Sequence, residues 1–256
     1  MTYTLTPHID WALVVLDAFF IFFLGLIIYL RREDRREGYP LEDNITGEPE
    51  SYGTAWLMAP AKSFKLPFGH GTVTTPTKDR EPVQIAARRT DPSPGSGYVP
   101  TGNPLVDGIG PAAFAERARR PDLDWEGHPR VVALSAVSDF SVDREDADPR
   151  GYRVVGADGK VAGEVTDLWI DRADRLVRYL QVALPGGRSV LAPMFVASVS
   201  RGRRTVTVTA ITAAQFADVP ALEGDGVITM YEEERIQAYY GGGYLYALPE
   251  RAEPFL

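Results

Sequence analysis

The feature that most constrains this chain is an uninterrupted apolar segment near its start. Residues 11–30 include one charged residue, Asp17, among twenty. A helix of this length spans roughly 30 Å, which is the hydrocarbon thickness of a bilayer. A buried core helix is disfavoured, because helices that are apolar on all sides over this length are rare in soluble domains. We therefore expect a single transmembrane helix over residues 11–31.

The flanks of this segment favour a retained anchor over a cleaved signal peptide. Residues 1–10 lack the basic leader of a signal peptide, and the apolar run ends in Tyr-Leu-Arg-Arg. Basic residues stay on the cytoplasmic side, so residues 1–10 are predicted to be extracytoplasmic and the bulk of the chain cytoplasmic. Anionic lipid headgroups are predicted to contact the four arginines that follow the apolar run, Arg31, Arg32, Arg35 and Arg36.

The charge balance argues against a nucleic-acid partner. The chain carries a formal net charge of −8, and residues 1–36 contain equal numbers of basic and acidic residues. The negative charge therefore lies in the predicted cytoplasmic part, whereas nucleic-acid binding depends on neutralising phosphates. The chain has no cysteine, which fits a reducing compartment.

Proline and glycine dominate the next part of the chain. Eleven of the 20 prolines fall between Pro40 and Pro111, with aromatic residues such as Trp56, Phe64 and Phe68 spaced among them. Such a segment cannot bury a core of its own. We predict that residues 32–111 form an extended strap that is ordered on the surface of a partner.

From Arg130 onward, short β-branched runs separated by turn residues predict strands. Asp158-Gly159 predicts a hairpin, and Pro185-Gly186-Gly187 and residues 200–203 predict further turns. Residues 211–220 predict one or two helical turns, and residues 230–240 a terminal helix that ends at Gly241-Gly242-Gly243. The predicted fold class is a single transmembrane α-helix plus a mainly-β cytoplasmic domain over residues 112–256. This domain is expected to be a small antiparallel barrel with a short C-terminal helix.

The sequence shows none of the common catalytic motifs. It has no cysteine nucleophile, no G-x-S-x-G, no phosphate-binding glycine loop and no H-E-x-x-H. We therefore predict that the chain is not an enzyme.

The densest group of titratable residues is Asp122, Asp124, Glu126 and His128. They alternate with other residues, so an extended backbone would project all four to one side. Two interpretations remain open: a solvated acidic turn, or a patch that collects protons and binds a transition metal weakly. A calcium loop is disfavoured because Ala133 stands where the bidentate glutamate would be.

Two further acidic groups occur later in the chain. The first contains Asp167, Asp171 and Asp174 together with Arg178, and the second is Glu232-Glu233-Glu234. Taken alone, a charged barrel rim and a solvated helix face explain them.

Several motifs together resemble one family. They are GLIIYLRREDRREGYPLE, FKLPFGHGTV, PTGNPLVDGIGPAAF, VAGEVTDLWID, RYLQV and YEEERIQAYYGGGYLYA. In this order they are similar to the H subunit of the purple-bacterial photosynthetic reaction centre, whose barrel is the PRC-barrel. The resemblance covers the whole chain.

The resemblance implies a subunit that binds no pigment itself and caps the L and M subunits on the cytoplasmic face of a photosynthetic (chromatophore) membrane. The partner subunits would hold bacteriochlorophyll, bacteriopheophytin, quinones, non-haem iron and carotenoid. A light-harvesting antenna and a cytochrome subunit are possible further partners. The alternative is a bitopic membrane adaptor whose barrel binds a cytoplasmic protein.

The resemblance also implies roles for particular residues. Protons would be collected by Asp122, Asp124, Glu126 and His128, with Asp124 and His128 forming a weak surface metal site. Well-known members have a second histidine where this chain has Glu126. An inner relay toward the secondary quinone would include Asp171, Asp174, Arg178 and Glu233, where many members have a glutamate in place of Asp174.

Overall fold

The computed structural model describes residues 10–37, 39, 41, 43, 45–46, 58–76, 84–224 and 226–251. The chain divides into two compact units, residues 1–83 with 91–96, and residues 84–90 with 97–256. The predicted extracytoplasmic segment lies outside the described residues except for Asp10. Pro40 and Trp56, which belong to the predicted strap, also lie outside them.

The first unit begins with helix α1, Trp11–Glu33. Asp10 caps it, because its Oδ1 accepts the backbone N–H groups of Ala12 and Leu13 at 3.0 and 3.3 Å. None of its residues is buried within the described chain, and the helix is long and apolar enough to cross a membrane. The prediction of one long apolar helix near the start of the chain is confirmed.

A short antiparallel hairpin follows in the same unit, formed by β1, Lys62–Lys65, and β2, Thr72–Thr75. Arg36 links the end of α1 to this hairpin. Its guanidinium donates to the Glu33 carboxylate at 2.8 Å and to the carbonyls of Pro60 and Thr75, each at 2.8 Å. Protein groups thus accept from four of the five guanidinium N–H donors of Arg36, and its contact with lipid stays a prediction.

The second unit contains a small two-stranded sheet and a larger seven-stranded sheet. The small sheet pairs β3, Ala87–Arg89, with β4, Tyr98–Pro100. The strands of the larger sheet are β5 Val131–Ala133, β6 Arg153–Val155, β7 Val161–Asp171, β8 Leu176–Ala183, β9 Ser189–Pro193, β10 Ala197–Ser200 and β11 Thr205–Val208. Their order in the sheet is β10-β11-β6-β7-β8-β9, and β5 pairs with β7. The turns predicted at residues 158–159 and 185–187 lie between consecutive strands.

One strand pair departs from the predicted antiparallel arrangement. β11 runs parallel to β6, with Thr205 opposite Arg153 and Thr207 opposite Val155. The two strands are far apart in the chain and are brought together by burial, so no local turn signal could report their direction. The mainly-β fold class is confirmed.

The C-terminal helix α3, Met230–Tyr246, is longer than predicted. It continues through Gly241-Gly242-Gly243, so the prediction that these glycines end it is wrong. A Cβ on Gly242 would lie 2.5 Å from the Cβ of Ala112, and one on Gly243 would lie 2.4 Å from the carbonyl oxygen of Ala210. These glycines allow close packing.

The chain just before the barrel also belongs to its core. Helix α2, Pro104–Asp107, packs Leu105 near Gly242, and both Leu105 and Ala112 are buried. The strap was predicted to extend to residue 111, yet residues 84–90 and 97–111 belong to the second unit. The apolar residues at 105 and 112 explain the difference, because they fill space beside α3.

Candidate functional site

The acidic segment at residues 122–128 forms a tight turn. Asp124 organises it, because its Oδ1 accepts the backbone N–H groups of Glu126 and His128, each at 2.9 Å. The Asp124 N–H also donates to the carbonyl of His128 at 2.8 Å, and Gly127 has a φ of +88°. These backbone hydrogen bonds, led by that of His128, hold the pKa of Asp124 below its ordinary value despite partial burial.

The turn brings together three of the four predicted residues. His128 Nδ1 lies 3.5 Å from Glu126 Oε2 and 3.9 Å from Asp124 Oδ2. One ligand atom from each of the three can lie within 4.8 Å of the others, so they could hold a metal ion. The chain folds back on itself at Gly127, so the backbone is not the extended one that would project all four side chains to one side. Asp122 instead points toward Arg130, at 3.7 Å.

Asp171 is the fully buried carboxylate of the barrel, at the end of β7. Arg130 Nε donates to both of its oxygens, at 2.8 and 3.0 Å. The backbone N–H groups of Ala173 and Asp174 donate to Oδ1, each at 3.0 Å. Burial acts to raise the pKa of Asp171, but Arg130 and these two amides outweigh it and hold the pKa below its ordinary value. Asp171 therefore remains ionised near neutral pH.

Asp174 is a surface member of the same group. Its Oδ2 accepts from Arg130 Nη2 at 2.5 Å, but its side chain is 52% exposed in this chain, against 0% for Asp171. Asp174 was predicted to belong to an inner relay. It lies instead at the surface, in the turn that connects the end of β7 at Asp171 to the start of β8 at Leu176.

A β-bulge brings Arg178 to this group. In the pairing of β7 with β8, Trp169 is opposite Tyr179 and Ile170 is opposite Val177, so Arg178 is the extra residue. A bulge re-aims side chains that strict alternation would separate. Arg178 lies 3.7 Å from Asp171 through Nη1 and 3.7 Å from Glu233 through Nη2.

Glu233 lies on the first turn of α3, where its side chain is 13% exposed. The hydroxyl of the buried Tyr179 donates to its Oε1 at 2.8 Å, and Gln237 Nε2 donates to the same hydroxyl at 2.7 Å. Burial raises the pKa of Glu233 above its ordinary value, although the Tyr179 hydroxyl and Arg178 act in the opposite direction. Burial likewise raises the pKa of Tyr179, which keeps its proton.

The three consecutive glutamates of α3 have different surroundings. Glu232 is buried and forms a capping box with Thr229, and its Oε2 accepts the Thr229 N–H at 2.7 Å. Glu234 pairs with Arg117 at 3.3 Å on a partly exposed face. The prediction of a uniformly solvated acidic face is therefore wrong. Asp167 is also separate from the network, since its Oδ2 accepts from the Ser135 hydroxyl at 2.5 Å.

The sequence prediction missed three members of the network: Arg130, Tyr179 and Gln237. Gln237 follows Glu233 by four residues, and that helical spacing was available from the sequence. Arg130 precedes Val131, which pairs with Asp171, and this register is a tertiary property.

Together these residues form a line of alternating charge through the barrel unit. Contacts join Asp122 to Arg130, Arg130 to Asp171, Asp171 to Arg178 and Arg178 to Glu233. The guanidinium groups remain protonated at all relevant pH values, so they balance charge and do not release protons. Among the acids, Asp171 is held ionised, whereas Glu233 is the acid in this line whose surroundings favour protonation.

Two families of known proteins match parts of this chain. The family described as photosynthetic reaction centre, H-chain N-terminal region, matches residues 3–136. The PRC-barrel domain family matches residues 142–215. The first match alone covers more than half of the chain. Its apolar N-terminal helix, the one helix of membrane-spanning length among the described residues, anchors the chain in a membrane, and the chain belongs to the H-subunit family of the photosynthetic reaction centre.

Proposed function

We propose that this chain caps the L and M subunits and conducts protons toward the secondary quinone during light-driven electron transfer. The observation that carries the proposal is the continuous line of paired charges that runs from the part-exposed Asp122 through the fully buried Asp171 to Glu233, whose side chain is 13% exposed. Burying unpaired charges is costly, and the pairing with Arg130 and Arg178 offsets that cost. The chain itself carries out no catalytic step.

In this proposal the acidic turn collects protons. Asp124 is held ionised by backbone donors, so it supplies a permanent negative charge at the surface. Glu126 and His128 are exposed beside it, and their side chains lie 3.5 Å apart. Asp122 connects the turn to Arg130 and thus to the inner network.

Within the barrel, the acids have different roles. Asp171 remains ionised and attracts protons inward, and Asp174 extends this negative charge to the surface. The positive charge of Arg178 lies between the carboxylates of Asp171 and Glu233 and reduces the repulsion between them. Glu233 takes the proton, because its pKa is raised by burial.

The remaining parts of the proposal concern the membrane and the partners. The helix would place the N-terminus in the periplasm and the barrel in the cytoplasm of the photosynthetic inner membrane. Arg31, Arg32 and Arg35 would lie at the headgroup level. Pigments, quinones and the non-haem iron would be held by L and M, with a light-harvesting antenna and a cytochrome as further partners.

The collecting role is tested by replacing the turn residues together, as Asp124→Asn, Glu126→Gln and His128→Asn, in the purified complex. Flash-induced proton uptake, followed with a pH-indicator dye, should slow after the second flash while the first electron transfers are unchanged. Unaltered uptake kinetics would show that protons are collected elsewhere. The control is Asp139→Asn, an acid outside the hydrogen-bonded turn.

The same turn is proposed to bind a transition metal weakly. Asp124, Glu126 and His128 offer carboxylate oxygens and an imidazole nitrogen, which suit Zn²⁺. Zinc added to the wild-type complex should slow proton uptake, and His128→Asn should weaken that inhibition. Equal inhibition of both complexes would place the zinc at another site.

A further inference from the structure

Glu233 is held by a pair of residues that the proposed relay does not use directly, Tyr179 and Gln237. They lie on different elements, β8 and α3, and their side chains meet at the Glu233 carboxyl. The Tyr179 side chain is among the largest that are fully buried in the barrel.

The hydrogen bonds in this group run in one direction. The amide nitrogen of Gln237 can only donate, and it occupies an acceptor position of the Tyr179 hydroxyl at 2.7 Å. The hydroxyl proton is then directed to Glu233 Oε1, at 2.8 Å. The Tyr179 hydroxyl and the Arg178 guanidinium both lie beside Oε1, so Oε2 is the oxygen at which protonation is favoured.

We propose that Tyr179 and Gln237 are positioning residues that direct an arriving proton to Oε2 of Glu233 and reduce how tightly it is held. This proposal rests on the proposed function, since it concerns the proton affinity of Glu233, the last acid of the proposed relay.

The charges around Glu233 support a separate role for this pair. Arg178 approaches Oε1 from β8 at 3.7 Å, while Asp171 on β7 and Asp122 in the acidic turn contribute negative charge that favours protonation. Tyr179 and Gln237 are uncharged, so they can adjust the proton affinity without adding a competing acid. If the pKa of Glu233 were raised further, Glu233 would stay protonated and could not pass its proton on. The hydrogen bond from Tyr179 acts against such a rise.

The experiment measures Glu233 directly, by infrared spectroscopy of the purified reaction-centre complex during a pH titration. The carboxyl C=O band of Glu233 is identified as the band that Glu233→Gln removes. In Tyr179→Phe this band should move to higher wavenumber, because its hydrogen-bond donor is lost. The proton affinity of Glu233 should rise about tenfold, which is the effect of losing one hydrogen bond to a charged group.

A second variant protects the test against a packing artefact. In Gln237→Glu the new carboxylate would accept the hydroxyl proton of Tyr179, so the band should shift in the same direction while the ring of Tyr179 remains in place. The control is Tyr239→Phe, since the Tyr239 hydroxyl donates to the Gln215 carbonyl at 2.8 Å and not to Glu233. Its spectrum should match that of the wild type.

The proposal is overturned if Tyr179→Phe and Gln237→Glu both leave the band and its titration as in the wild type. It is also overturned if no band sensitive to Glu233→Gln titrates across the pH range in which the complex is stable. The failure of the relay has a different signature. In that case Glu233→Gln leaves flash-induced proton uptake unchanged, while the spectroscopic effects of the two variants persist.

Discussion

Replacing Asp171 by asparagine should destabilise the barrel much more than the same change at Asp174. Both carboxylates bind Arg130, but Asp171 is fully buried and Asp174 is half exposed, so the two variants form a matched pair. Breaking a buried ion pair costs about 3–5 kcal/mol. Arg130 is itself 29% exposed and keeps Asp174 as a partner, so we expect about 2–3 kcal/mol for Asp171→Asn. For Asp174→Asn we expect at most about 1 kcal/mol.

Hydrogen exchange in the intact complex measures how much each variant destabilises the strands next to Asp171. β5 pairs with β7 next to Asp171, so the amides of Val132 and Ile170 report local opening. A loss of 2–3 kcal/mol corresponds to exchange that is about 30- to 150-fold faster, whereas 1 kcal/mol corresponds to about fivefold. Equal acceleration in the two variants, or less than fivefold in Asp171→Asn, would refute the account of this ion pair.

The pH dependence of the same measurement has a definite sign. The pKa of Asp171 is lowered in the folded chain, so its contribution is fully present above the unfolded value of about 3.9. That contribution is lost as the pH falls through the lower, folded value. Wild type and Asp171→Asn should therefore differ by a constant amount near neutral pH and converge in acid. A difference that persists unchanged in acid would contradict the assignment of the ionised carboxylate.

Three further predictions concern stability. Arg36→Leu should speed proteolysis within the β1–β2 hairpin several-fold, because four hydrogen bonds to its guanidinium are lost, and unchanged cleavage would contradict the link. Gly243→Ala should cost at least 1–3 kcal/mol, because its Cβ would overlap the Ala210 carbonyl. Gly241→Ala, whose Cβ would lie 3.4 Å from the Pro111 carbonyl oxygen, should be neutral or stabilising by up to about 1 kcal/mol. Thermal denaturation of the complex compares the two alanine variants. Equal midpoints would show that close packing against Ala210 does not require a glycine at position 243. Tyr240→Phe should be neutral or stabilising, because this buried hydroxyl has no hydrogen-bond partner among the described residues, whereas Tyr239→Phe should cost about 1 kcal/mol. The same scans compare these two, and a larger loss for Tyr240→Phe would contradict the assignment.

The elements that could be predicted from sequence are those with strong local signals. The apolar run of α1, the turn at Asp158-Gly159 and the alternating strands around it require no knowledge of distant contacts. The glycines after residue 240 misled the prediction, because a glycine run that ends a helix and one that allows close helix packing look the same in sequence. Only the neighbours Ala112 and Ala210 distinguish them.

The candidate site was less predictable for the same reason. The acidic turn was identified by residue type and spacing and the relay acids by the family resemblance, but the partners of these acids come from other elements. Arg130 meets Asp171 through the pairing of β5 with β7, and Arg178 reaches Glu233 through a bulge that the sequence does not mark. Period-two spacing could not decide between an extended segment and a turn at residues 122–128, because the turn depends on the backbone N–H groups that the Asp124 carboxylate accepts.

Proton uptake in complexes carrying Glu233→Gln is the direct test of whether this residue carries the proton. The adjacent Glu234→Gln is the matched control, because Glu234 pairs with Arg117 and takes no part in the charge network. We predict that Glu233→Gln slows proton uptake after the second flash while the first electron transfers keep their rates, and that Glu234→Gln behaves as the wild type. Uptake at the wild-type rate in both complexes would contradict this prediction.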